Sequence, residues 1–261
     1  LGAVKEDGAR FHSPSIRDFS AFIAGSAFLC GHNIVRHDLV YLRPLLDAPL
    51  SARAIDTLYL SPLLFPERPY HALLKDDKLQ TDELNNPLND AEKARKLFYD
   101  EVNAFSELSA RRKEIYYGLL NPYEEFRGFF AFMKYSPLFP APERAIRREF
   151  SGMICEHADL RALAATWPVE LAYALALIGC GDYHSVTPPW LMKNYPGIEY
   201  VMKALRGRPC QAGCPYCREA FGLHRKLKEF FGFSRFRSYG GEPLQERAVR
   251  AAAEGKSLLA V

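Results

Sequence analysis

No stretch of this chain approaches the roughly 18 consecutive apolar residues that a membrane-crossing helix needs. The longest apolar run, around Val169–Gly179, contains Glu170 and is too short, so no membrane partner is expected. The chain opens without an initiator methionine, a basic leader or a signal-peptide core, and nothing there points to secretion. No internal repeat or low-complexity tract is evident, and composition changes gradually enough that domain limits are soft. Acids are scarce in one place. Between Lys203 and Arg237 only Glu219 and Glu229 oppose Lys203, Arg206, Arg208, Arg218, Arg225, Lys226, Lys228, Arg235 and Arg237. The whole-chain charge of +3 is too small to argue for nucleic acid, but that local excess suits a polyanion.

With 261 residues, 48% of them apolar and 13% aromatic, the chain can bury a substantial core and is expected to hold two or more units. Three of its six cysteines fall within eight positions. That clustering fits a metal in a reducing compartment better than a disulfide framework, and a cytoplasmic location is expected.

Leu1–Lys5 and Ala9–Phe11 flank Glu6-Asp7-Gly8 and read as two strands around a tight turn. A helix is expected over Ile16–Ala24, and Ala27-Phe28-Leu29-Cys30 reads as a short strand stopped by Gly31-His32-Asn33. Val35, Leu39 and Leu42 then recur at helical spacing, with Asp38 near the helix start. The helix dipole favours a carboxylate there, so a surface acid accounts for Asp38. A metal-binding acid accounts for it equally, because open α/β sheets place their sites at the carboxyl ends of strands.

Arg53–Leu60 reads as another strand, ending in Asp56-Thr57. In Leu84–Phe98, Asp90 opens a helix with Ala91, Ala94, Leu97 and Phe98 on one face, and Asn85 or Asn89 is placed to cap nearby turns. The aromatics of residues 105–150, among them Tyr116, Tyr117, Phe126, Phe129 and Phe130, could stack bases, but their helical spacing favours a core between helices. Two helices are expected across Glu156–Gly179, the second opening at Pro168, and one more across Ile198–Leu205.

Cys210-x3-Cys214-x2-Cys217, shaped by Pro209, Gly213 and Pro215, sets three thiols on a tight turn. Such thiolates can converge on one tetrahedral Zn²⁺ or one iron–sulfur cluster; the alternative is three reduced surface thiols. A closed site needs a fourth ligand: Cys155 or Cys180, with His157 and His224 as nitrogen alternatives. Ile154-Cys155 ahead of a helix resembles related chains, which favours Cys155.

Gly31-His32-Asn33 followed by Asp38 resembles the second motif of the DnaQ-like 3′–5′ exonucleases, G-H-N and then F-D, with His37 in the Phe position. Asp90-Ala91 resembles their third motif, His-x4-Asp-Ala, with Asn85 holding the place of the catalytic histidine. The resemblance implies an α/β chain whose residues 1–105 form a truncated RNase H-like fold, its Asp-x-Glu strand lying before Leu1. It also implies Asp38 and Asp90 as ligands of Mg²⁺ or Mn²⁺ and Asp56 as a structural acid. Asn85 can orient water, but an amide cannot serve as the base.

Phe231-Gly232-x3-Phe236-Arg237 with the later Gln245 resembles the opening of a RecQ-type DNA helicase, in which such an Arg and Gln bind adenine ahead of the first ATPase strand. Ser238–Leu244 separates the two here, where the family has two residues. Gly255-Lys256-Ser257 is no phosphate loop, since Arg250 stands where G-x4-G-K-S needs glycine. Leu258–Val261 reads instead as the strand leading into one.

Taken in order, the resemblances imply the amino-terminal part of an ATP-dependent RecQ-like DNA helicase with an appended exonuclease domain. Its expected parts are the exonuclease-like unit at 1–105, a mainly helical connector at 106–208, and the cysteine cluster with the start of the helicase at 209–261. The implied partner is DNA with a single-stranded 3′ end, ATP is bound by the parent protein, and no protein partner is implied. This portion alone is expected to catalyse neither reaction. Two alternatives stand beside that reading: an inactive exonuclease-like module that binds single-stranded DNA, which Asn85 favours, and a stand-alone exonuclease with a metal-bound tail.

Overall fold

Gly8, at φ +89°, turns the chain between β1 (Gly2–Val4) and β2 (Arg10–His12), which pair antiparallel with Ala3 opposite Phe11. The computed structural model describes residues 1–46, 50, 53–68, 70–71, 73, 86–180, 189–223, 225, 227–228, 232, 235–253 and 256. They form two units, one comprising Leu1–Ser151 with Asp159–Ala204, the other Gly152–Ala158 with Leu205–Val261. The expected connector therefore falls largely in the first unit together with residues 1–105.

In the first unit α1 (Ile16–Ile23) is capped by Ser15, whose hydroxyl accepts the Asp18 N–H at 3.2 Å, and it buries Phe19 and Ile23 with Leu42 and Leu50. Strand β3 (Leu29–Gly31) pairs parallel with β4 (Ala54–Asp56), Gly31 opposite Asp56, and α2 (Asp38–Leu42) lies on the crossover between them. Among the described residues both sheets are two-stranded, and the chain is α/β, with helices supplying most of the described structure.

The strand expected across Arg53–Leu60 ends at Asp56, and α3 (Thr57–Leu64) begins there. The Asp56 carboxylate caps the helix by accepting the Leu58 N–H at 3.0 Å. Leu58, Tyr59, Leu60 and Leu63 are all buried. A helix enclosed on every side shows no periodicity, so a short one reads as a strand.

Helix α4 (Pro87–Glu107) is capped by Asn86, whose Oδ1 accepts the Leu88 N–H at 3.0 Å. It packs against β1, β3 and α3. Helices α5 (Ala110–Leu120), α6 (Glu124–Phe132), α7 (Pro142–Glu149) and α8 (Leu160–Thr166) follow, then α9 (Pro168–Gly179), α10 (Pro189–Asn194) and α11 (Gly197–Met202). Leu171–Ile178 of α9 is buried throughout, and Tyr173 donates its hydroxyl to the Tyr59 carbonyl at 2.9 Å. Most aromatics of 105–150 are core, Phe139 on the loop before α7 being a solvent-exposed exception: Phe105 meets Phe129 at 5.3 Å and Tyr117 meets Phe130 at 5.2 Å.

Helix α6 lies so close to β4 that a Cβ on Gly128 would sit 2.0 Å from the Ala54 carbonyl oxygen. In an open helix Gly→Ala stabilises by about 1 kcal/mol. Here neither backbone can move aside cheaply, and Gly128→Ala is expected to destabilise by about 2 kcal/mol in chemical denaturation.

Glu101, on α4, is wholly buried, and neither carboxylate oxygen has a hydrogen-bond partner among the described residues. Burial, reinforced by the nearby Asp56 carboxylate, pushes its pKa well above the ordinary carboxylate range. An acid whose folded pKa exceeds its unfolded value keeps the folded state protonated longer, so its contribution worsens as pH rises past about 4.5. The isosteric Glu101→Gln change is expected to leave stability near wild type at pH 4.5 and to gain as pH rises from there until the folded pKa is passed, at up to about 1.4 kcal/mol per pH unit. Urea denaturation across that range measures the slope.

Candidate functional site

The carboxyl ends of β3 and β4 are tied together by one side chain. Asp56 Oδ1 accepts the N–H of Asn33 at 2.8 Å and of Leu58 at 3.0 Å, while Oδ2 accepts the N–H of Val35 at 3.0 Å. Asn33 takes φ +63°, the left-handed region that asparagine tolerates, and so aims its N–H inward. Burial lifts the Asp56 pKa to about 6 against the pull of those three donors. Both carboxylate oxygens are engaged by backbone N–H groups, the arrangement of a structural acid.

His32 Nδ1 lies 3.0 Å from Thr57 Oγ1. Burial lowers its pKa to about 4, opposed by the Asp90 charge, so the imidazole is neutral at pH 7. His71 is buried against Ser61 Oγ at 2.8 Å and is likewise lowered to about 4, chiefly by burial. His32 lies inside the G-H-N motif, yet its neutral state depends on enclosure by Thr57, twenty-five residues away, which spacing does not report.

Asp38 stands at the start of α2 with its side chain about half exposed, 3.6 Å from His37 Nδ1. Asp90 is exposed in the first turn of α4. Neither belongs to a group of three or more metal-capable side chains among the described residues. Asn85 lies outside the described residues.

The cysteines do converge. In the second unit the Sγ atoms of Cys155, Cys210, Cys214 and Cys217 all lie within 4.8 Å of one another, with Cys155, Cys214 and Cys217 buried. Gly213, at φ +61°, closes the turn after Cys210, and Cys214 then starts α12 (Pro215–Ala220), whose first turn carries Cys217. The Cys214 N–H donates to Cys210 Sγ at 3.3 Å and the Cys210 N–H to Cys217 Sγ at 3.4 Å. Cys155 is brought in by its own N–H, donated to the Leu205 carbonyl at 2.8 Å.

Backbone donation from Cys214 draws the Cys210 thiol down to about 6, while burial pushes Cys217 up to about 12. Four thiolates this close need a cation to neutralise them, and a metal deprotonates its thiols outright. The donor set fits: a tetrahedron of about 2.3 Å metal–sulfur bonds has edges of about 3.8 Å. Cys180 belongs to the first unit, its thiol turned to the Leu177 carbonyl at 3.0 Å. His157 sits beside Cys210 and Cys214, whose thiols draw its pKa upward, but the four sulfurs make up the set. His224 lies outside the described residues.

Also in the second unit, Arg237 and Gln245 meet: the Arg237 N–H donates to Gln245 Oε1 at 3.2 Å, and Gln245 Nε2 to the Tyr239 hydroxyl at 3.3 Å. The intervening residues fold back through reciprocal bonds between Tyr239 and Glu242, with Gly240 at φ +56° and Gly241 at φ +85° in the primed turn that demands glycine. Helix α13 (Leu244–Ala253) follows.

No protein-family model, curated protein or solved structure matches this chain. Among the described residues no helix is long and apolar enough to cross a membrane.

Protein purified without oxygen is expected to carry one metal equivalent per chain by elemental analysis. Cys155→Ser and Cys214→Ser should each abolish it, and Cys180→Ser should leave it intact. Chelation should also render residues 205–253 sensitive to protease; a metal-free protein that resists protease equally well rules the centre out.

Proposed function

We propose that this chain is the single-strand-binding, amino-terminal portion of a RecQ-like ATP-dependent DNA helicase, its exonuclease-like unit serving to hold DNA rather than to cut it. The observation that carries the helicase assignment is the hydrogen bond between Arg237 and Gln245. Family spacing separates such residues by two positions. Here the Gly240-Gly241 turn loops out the extra residues and returns Gln245 to Arg237. Both side chains are exposed; the Arg237 guanidinium is open to an adenine, and the Gln245 amide is held beside it by the Arg237 backbone N–H and the Tyr239 hydroxyl.

Charge supports the DNA assignment. Arg208, Arg218, Lys228, Arg235 and Arg237 are all exposed in the second unit, where each phosphate neutralised releases counterions. The binding role rests on the first unit. Asp38, about half exposed, and exposed Asp90 belong to no group of three or more metal-capable side chains among the described residues, and the enclosed acids are committed elsewhere, Asp56 to backbone N–H groups and Glu101 to the core. The parent exonuclease chemistry uses two divalent metals to activate water and steady the leaving oxygen, a task for a convergent set of carboxylates.

The cysteine centre is assigned to one Zn²⁺. Four sulfurs within 4.8 Å suit a single ion, whereas the corners of an iron–sulfur cube spread their thiolates over four different irons. The ion's role is structural, fixing the turn that presents Arg208 and Arg218.

Incubated with Mg²⁺ or Mn²⁺ and a 3′-ended single strand, the chain is expected to bind with a steep salt dependence and to leave the strand undigested. Digestion that disappears in Asp38→Ala makes the unit an exonuclease, and no binding at low salt overturns the DNA assignment. In the full-length protein, Gln245→Ala is expected to raise the KM for ATP by about ten-fold.

A further inference from the structure

Among the described residues the most exposed large apolar side chains are neighbours. Leu138 and Phe139 are 88% and 92% exposed, at the tip of the loop between α6 and α7. The loop is held at both ends. On the incoming side Lys134 turns the chain at φ +51°, and the Tyr135 N–H donates to the Phe130 carbonyl at 3.0 Å. The Tyr135 ring packs 5.8 Å from both Phe105 and Tyr117, and the Tyr117 hydroxyl meets Ser136 Oγ at 3.1 Å. On the outgoing side the Ala141 N–H donates to Glu114 Oε1 at 3.0 Å, and Pro142 fits against Gly118. Pro137 and Pro140 bracket the two tip residues and fix φ on either side. A pinned, proline-braced loop that holds a phenylalanine in water is a prong, and adjacent exposed apolar side chains of this kind mark contact sites.

Charge beside the prong selects the partner. Arg144, Arg147 and Arg148 share the exposed face of α7, while Ala145 and Ile146 face the core. Lys134 is exposed on the other side of the tip. Across residues 134–148 the single acid is Glu143, and the next, Glu149, is engaged by Arg112 at 3.1 Å. Lys134, Arg144 and Arg148 make no ion pair among the described residues. An aromatic ring flanked by unpaired cations is the arrangement that binds single-stranded nucleic acid, a base on the ring and phosphates on the cations.

We infer that Phe139 is a base-stacking prong for single-stranded nucleic acid, with Lys134, Arg144 and Arg148 holding the neighbouring phosphates. The inference rests on the DNA-binding assignment above and adds to it a contact point outside both family-like motifs.

Fluorescence anisotropy with the whole chain tests it, using an oligothymidylate of roughly 16 nucleotides and an abasic strand of equal length and charge. Phe139→Ala is expected to weaken binding to the base-bearing strand by about ten-fold or more and Phe139→Trp to preserve it, with all variants alike on the abasic strand. Arg144→Ala combined with Arg148→Ala should lower the salt slope by about 1.4. If the wild type binds and Phe139→Ala binds the thymidylate as tightly, or loses equally on both strands, the prong does not stack bases and the DNA assignment survives alone. If the wild type binds neither strand at low salt, both inferences fall and the prong belongs to an apolar pocket on a protein.

Discussion

One carboxylate sets the geometry of the first unit. Asp56 accepts three backbone N–H groups, two from the turn after β3 and one from the first turn of α3, with no exposure to solvent. Hydrogen bonds to a charged acceptor are worth about 1.5–3 kcal/mol each, and a buried donor left without its acceptor costs a similar amount. The residue therefore does two jobs: it ends the strand by capping a helix, and it latches the neighbouring strand's turn to that cap. His32, between the latched residue Asn33 and the strand, is thereby set against Thr57 and held neutral.

The same latch explains what the sequence shows of this region and what it hides. The hairpin and α9 are legible because their signals are local: a glycine in a tight turn and Pro168 at the first position of a helix. Arg53–Leu60 misleads because burial on every side erases the periodicity that separates strand from helix. Asp56 is readable as structural only by resemblance, since its three partners come from two segments twenty-odd residues apart. Glu101 gives no local signal: in an exposed helix the same residue would be an ordinary surface acid, and only the packing of α4 on α3 and β3 encloses it. The cysteine spacing identifies three ligands; Cys155 is preferred to Cys180 by resemblance alone, and the fold supplies the reason, since the segment carrying Cys155 returns to the turn.

The two units are stabilised by different means. The first encloses α9 and packs aromatic rings edge to face, among them Phe105 on Phe129 and Phe126 on Tyr173. The second, among its described residues, buries Ile154, Cys155, Ala158, Leu205, Cys214, Tyr216 and Cys217. Three of those seven are thiols, so among the described residues the cysteine sulfurs stand at the centre of what this unit buries. Around the turn, Tyr216 donates its hydroxyl to the Arg206 carbonyl at 3.2 Å, and the Arg206 guanidinium lies 6.0 Å from the Tyr216 ring, so the polar contacts too converge beside the cysteines. A bound ion then contributes to folding itself, because its affinity for the assembled thiolates enters directly as stability. Loss of a bound ion would release the neighbouring exposed arginines together with the sulfurs, so the order of that basic surface would depend on the cysteine cluster.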